Sequence, residues 1–340
     1  VVQPTGFFFQ QRMSPRLFFS PVQHLGFSWF AMVMGWCGLS LAWLRAEFLW
    51  GTVAVWVSAA LGVVAACVLI VLMLATVARL GWFPQAVRAD LQHPVRHVFT
   101  AALPASWVLM ASVGAAHWGF SGWADALWML GSAGLMLVSG VVVLGWFRAD
   151  RHQDRFWLGM TPALFIPVVG NVLPALMGVD LGHPVWASVQ FGLAALLWPV
   201  AWGLIGWRVR RLGMWPQRLL PLTFITVAPP SVLALSGLNL GTPAWMVEGL
   251  WCVALLFLCG SAFVARGVFK QAFGMPFWGM SFPLAAFSAL SLTLSLDRVE
   301  AQAWALAGLV LVSGLFLWLG LSTVVGIWQG RLLVPEPPGP

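Results

Sequence analysis

Ten apolar stretches of roughly twenty residues or more, uncharged except for Asp125 and Glu248 near their ends, follow one another along this chain, near 26–44, 51–78, 98–116, 122–147, 157–178, 185–207, 219–239, 244–265, 277–296 and 301–328. A helix needs roughly 20 such residues to cross the hydrocarbon of a bilayer, where it must satisfy its own backbone donors and acceptors. The pattern therefore predicts an all-α membrane protein with ten transmembrane helices. Charges, Gly and Pro mark the breaks, and the connections are short, the longest running from about Arg79 to His97. Composition agrees, since 61% of the 340 residues are hydrophobic and only 8% are charged. That charged fraction is about a third of what a soluble domain carries. Tyr is absent, so Trp alone, with 23 copies, supplies the polar-tipped ring of interfacial belts.

Lys and Arg near span ends resist translocation and collect on the cytoplasmic side. Fifteen of the seventeen fall in alternate connections: Arg12 and Arg16; Arg79, Arg88 and Arg96; Arg148, Arg151 and Arg155; Arg208, Arg210, Arg211 and Arg218; Arg266 and Lys270; and Arg331. Only Arg45 and Arg298 fall on the other side. This segregation predicts an even number of spans and cytoplasmic termini; the membrane expected for the chain is a bacterial inner membrane. It divides the chain into an N-terminal tail over 1–22, a transmembrane domain over 23–330 and a C-terminal tail over 331–340. Residues 1–20 fit no span and begin with Val, so translation is expected to start at Met13.

Several function classes are excluded. The net charge of +7 comes from residues at span ends, with no nucleic-acid-binding module around them. There is a single Lys, Lys270, and no phosphate-binding Gly-Lys loop for a nucleotide-driven pump. No catalytic motif is present, so no enzyme and no cofactor are expected. His93 and His97 have helical metal-ligand spacing, but Pro94 lies between them and no carboxylate motif accompanies them. Cys37, Cys67, Cys252 and Cys259 all lie in spans and read as reduced apolar fillers. Ion-coupled carriers usually keep ionisable groups in their spans. Here the nearest are Asp125 and Glu248, within a turn or so of span ends.

The prolines are unevenly shared. Odd spans carry Pro104; Pro162, Pro167 and Pro174; Pro221, Pro229 and Pro230; and Pro283, whereas Pro199 is the one clearly internal to an even span. Proline removes a backbone donor and frees carbonyls that lipid cannot satisfy, so broken helices belong beside protein or water. The expected architecture is five helical hairpins around a central pore, with kinked odd helices as inner ring and even helices as outer ring. Ser and Thr also concentrate on odd spans, where they either line the pore or make the hydroxyl bonds common in any bundle.

Five segments together resemble the voltage-dependent anion channel family, which includes plant slow-type anion channels, tellurite-resistance proteins and C4-dicarboxylate transporters. They are FAMVMGWCGLSLAW at residues 30–43, VRADLQHPVR at 87–96, TPALFIPVVGNVLPALMG at 161–178, APP at 228–230 and FWGMSFP at 277–283. The resemblance implies a homotrimer with one pore per subunit, plugged midway by a phenylalanine of the ninth span, here Phe282. It also implies pore-lining or helix-kinking roles for Pro104, Pro167, Asn171, Pro229, Pro230, Ser281 and Pro283. Where the family often has a proline in the first span this chain has Val33, leaving Gly35 and Gly38 as the flexible points of that helix. The expected function is a passive channel for small inorganic anions such as chloride and nitrate, held among membrane lipids. The alternative is a secondary transporter or efflux protein for C4-dicarboxylate, sulfite or tellurite.

Overall fold

The computed structural model describes residues 20–119 and 121–334, so the expected start at Met13 and most of both tails lie outside the described residues. Among those residues there is no strand. Ten helical segments succeed one another: α1 (Phe27–Arg45), α2 (Thr52–Trp82), α3 (Arg96–Trp118), α4 (Gly122–Arg148), α5 (Pro162–Leu176), α6 (Pro184–Leu212), α7 (Gln217–Asn239), α8 (Ala244–Lys270), α9 (Met275–Leu294) and α10 (Val299–Trp328). Nine are long and apolar enough to cross a membrane, and α5 alone is shorter.

Prolines explain α5. Pro162, Pro167 and Pro174 interrupt the ladder of donors, and the segment breaks into a 3-10 turn of three residues, an α piece of five and a 3-10 piece of seven. A 3-10 helix rises about 2.0 Å per residue against 1.5 Å for an α-helix, so α5 still extends roughly 28 Å. Its neighbours agree. Trp215, before α7, donates from Nε1 to Met160 O (3.3 Å), while Asn239, at the end of α7, donates from Nδ2 to Leu176 O (2.6 Å). The short segment therefore runs alongside α7 from the face bearing the basic connections to the opposite face.

Every odd span opens as a 3-10 helix at the basic face and continues as an α-helix. The changes fall at Ala31, Ala102, Phe165, Ala228 and Ser281. The even spans are α-helical over nearly all their length. This modifies the expected kinks. Pro104, Pro167, Pro230 and Pro283 each occupy the third position of the α portion rather than breaking it midway. A first turn tolerates proline because its N–H groups have little or no α ladder behind them. Val33 holds the same third position in α1.

Packing orders the helices into a closed ring. Contacts run from α1 to α3, α3 to α5, α5 to α7, α7 to α9 and from α9 back to α1, and each even helix packs on its odd neighbours. Burial divides them accordingly: 72% of α1, 83% of α3, 83% of α7 and 61% of α9 is buried, against 22% to 33% of α2, α4, α6, α8 and α10. The even helices turn Ile70, Leu137, Leu196, Leu256 and Leu311 outward. Exposed Trp123, Trp186, Trp245 and Trp304 lie near the ends of even helices at the opposite face, and Trp82 and Trp328 at the basic face, as interfacial belts require. Cys37 is the buried cysteine, whereas Cys67, Cys252 and Cys259 are exposed on even helices and fill no core.

Glycine sets the closest approaches. A Cβ added at Gly35 would lie 2.8 Å from Ser281 Cβ, and one at Gly38 would lie 3.0 Å from Phe282 Cδ2. Both glycines sit within the regular α portion of α1, so they bring α1 and α9 together rather than bend the helix. The long basic connection between α2 and α3 is itself folded, with a helix over Pro84–Gln92. There the buried Asp90 carboxylate bridges Arg79 (2.7 Å) at the end of α2 and Arg96 (3.1 Å) at the start of α3. Arg79 also donates from Nε to Gln23 O (3.0 Å), tying in the segment before α1.

Candidate functional site

A cavity of about 290 Å³ lies inside the ring and takes lining from all five odd helices or the turns that follow them. Each fully helical wall contributes one stripe at helical spacing: Gly38, Leu41 and Arg45 on α1, Leu109, Ser112 and Ala116 on α3, Val232 and Leu235 on α7, and Phe282, Ala286 and Ala289 on α9. Leu176 and Met177 supply the fifth wall. Phe282 stands at one end. From its place in the α portion Ser281–Leu294, it lies about 18 Å from the end of α9 at the opposite face. The 3-10 piece Met275–Met280 separates it from the basic face by roughly 12 Å. Phe282 therefore sits near mid-depth, yet it stays partly accessible because its ring faces empty space. The absence of a side chain at Gly38 gives that ring its seat.

The electrostatics are simple. Below the rim the walls are aliphatic, with Ser112 as the one hydroxyl, and its Oγ donates back to Val108 O (3.0 Å). Charge appears at the rim, where Arg45 and Glu47 both line the cavity. Such a space has room for a small anion and several waters, at about 30 Å³ of liquid volume each.

Of the residues given a gating, pore-lining or helix-kinking role in the sequence, Phe282 is the one that lines this cavity. The others stand behind it. Pro104 faces α4, where a Cβ at Gly134 would come within 2.9 Å of its ring. The Pro167 carbonyl accepts from Ser139 Oγ of α4 and from Asn171 Nδ2 (3.2 Å). Asn171 also donates to Ser139 Oγ (2.5 Å) and accepts from Gln190 Nε2 of α6 (3.2 Å). Gln190 in turn joins Ser132, which receives the indole N–H of Trp186. Pro229, Pro230, Ser281 and Pro283 are buried, and Ser281 Oγ donates to Trp278 O (2.6 Å).

Most hydroxyls of the odd spans bond the backbone instead of lining the cavity. Ser106 reaches Ala102 O and Phe30 O, Ser231 reaches Val227 O, and Thr226 reaches Thr223 O. This is the ordinary role of such groups in a bundle. Sequence reading missed Gln190, whose signal was a lone amide within an otherwise largely apolar span. It also missed the aliphatic walls, which carry no signal distinguishing them from core.

Comparison with known proteins adds a second line of observation. Residues 24–325 match the family described as voltage-dependent anion channel. A Haemophilus influenzae protein, named as a tellurite resistance protein TehA homolog, is 25% identical over 268 residues, spanning 76% of this chain and 78% of that protein. An uncharacterized transporter of Methanocaldococcus jannaschii is 24% identical over 229 residues, spanning 60% of this chain and 64% of its own length. The S-type anion channel SLAH1 of Arabidopsis thaliana is 25% identical over 201 residues, spanning 56% of this chain and 50% of its own.

Proposed function

Because the chain belongs to the voltage-dependent anion channel family, we propose that it is an anion-selective channel in which small inorganic anions, chloride and nitrate among them, cross through the cavity inside the odd helices, with Phe282 as the gate. One observation carries the reading: a space walled by all five odd helices, uncharged below its rim, ends on a partly exposed aromatic ring at mid-depth. Conduction requires binding weak enough to release the ion, which uncharged walls provide. Weakly hydrated anions pass more readily, since such walls repay little dehydration energy. Basic residues at the other face, with Asp90 engaged by Arg79 and Arg96 and Asp154 by Arg211, leave a positive excess there that favours anions over cations. The basic face is cytoplasmic in this reading, the membrane is a bacterial inner membrane, and the working unit is a homotrimer.

The test is conductance in planar bilayers. Phe282→Ala is expected to raise basal anion current at least several-fold, with a reversal potential that follows the anion gradient. An unchanged current would remove the gate. Saturable, proton-dependent uptake in proteoliposomes would instead support the carrier reading. Cross-linking in native membranes checks the trimer.

A further inference from the structure

The face opposite the basic one is acidic. Glu47, Asp125, Asp180, Glu248, Asp297 and Glu300 stand at span ends or connections on that side against two basic residues, Arg45 and Arg298. An anion approaching from there meets a repulsive field unless something local overcomes it. Arg298 is not free to do so, because its guanidinium is held by the Glu248 carboxylate at 2.5 Å. Arg45 is different. It is the last residue of α1, it lines the cavity rim, and among the described residues it makes no ion pair or side-chain hydrogen bond.

We propose that Arg45 is an anion-capture site, where its guanidinium holds a small inorganic anion at the rim before that anion enters the uncharged cavity. The inference rests on the channel reading and adds a binding site to it. A guanidinium is permanently charged, weakly hydrated and presents a planar fork of N–H donors, which suits a halide or the flat oxygens of nitrate. Leu41 and Leu44 line the cavity beside it, so part of its surroundings is low in dielectric and its attraction is screened less than in bulk water. Glu47 lines the same rim and tempers the site. A captured anion is therefore released inward rather than trapped, as flux through successive weak sites requires.

The experiment uses the full chain with the gate opened by Phe282→Ala, in planar bilayers with chloride or nitrate on both sides. Adding Arg45→Gln is expected to cut anion current entering from the acidic face about three- to tenfold, at the low end of electrostatic focusing. Current entering from the basic face stays nearly unchanged, so the channel rectifies. Arg45→Glu deepens the loss, and Arg45→Lys keeps most of the current. The difference fades near 1 M salt, where the screening length falls to about 3 Å. An unchanged current-voltage curve on Arg45→Gln, or an equal loss in both directions that Arg45→Lys does not rescue, would overturn the site while leaving the channel standing. If Phe282→Ala itself passes no anion current, the channel reading falls and the capture site falls with it.

Discussion

At the scale of single residues, the contact between α1 and α9 is where packing and the proposed gate meet. Gly35 and Gly38 lie one turn apart and accept Ser281 and Phe282, neighbours on the facing helix. The two glycines should fail differently. Gly35→Ala drives a methyl into Ser281 and the Phe316 ring, an overpacking expected to cost about 1–3 kcal/mol and to lower the thermal midpoint in detergent. Gly38→Val removes the seat of the Phe282 ring, and the expected outcome is a raised basal anion current. If the ring is the barrier, Gly38→Val adds nothing further in a Phe282→Ala background, because both changes act on one contact. Two independent increases in that double variant would separate Gly38 from the gate. Phe282 was legible only through resemblance to a family. Gly38 was visible in the sequence, but its partner was not, since a helical glycine reads the same beside a ring, a backbone or lipid.

At the scale of elements, the repeated unit is an inner helix that starts as 3-10 and becomes α, followed by a regular outer helix. Its mark in the sequence is the proline, and the unequal share between odd and even spans was readable because proline alters the backbone whatever surrounds it. How each freed carbonyl is satisfied was not readable. Nor was the polar joint between spans, which in the α4–α5–α6 group is a buried chain of side chains running from Pro167 O through Ser139, Asn171 and Gln190 to Ser132. Gln190 joins Asn171 to Ser132 and is fully buried. Gln190→Ala should leave the Asn171 carbonyl and the Ser132 groups without that partner, costing about 1–3 kcal/mol. The measurement is thermal unfolding by tryptophan fluorescence. Anion current per folded protein should stay the same, because none of these residues lines the cavity. A changed conductance with unchanged stability would instead place this network in the conduction path.

At the scale of the whole molecule, stability depends on closing a ring whose outer members barely meet one another. Among the described residues, the buried ion-paired cluster at the basic face is Asp90 between Arg79 and Arg96, within the segment that also carried part of the family resemblance. Breaking a buried pair leaves an uncompensated charge, so Asp90→Ala is expected to cost roughly 3–5 kcal/mol. Asp154→Ala, which removes the exposed partner of Arg211, should cost about 0–1 kcal/mol. Comparing the two midpoints in one detergent checks the contrast. Equal shifts would mean that the buried cluster does not hold the ring at that face.

The number of apolar stretches, the sorting of basic residues to one side and the alternation of proline-rich with proline-poor spans were set by the sequence alone. Each follows from a property that a residue carries into any environment: its transfer cost, its charge or its missing N–H. Tertiary structure decided the rest: which stripe of each odd helix faces the cavity, which hydroxyls turn back to the backbone, and that Arg45 stands at the cavity rim without an ion pair among the described residues. The odd helices are apolar on every side and mostly buried, so no polar stripe marks the cavity in advance. The difference between a wall and a core contact exists only once five such helices stand around the same empty space.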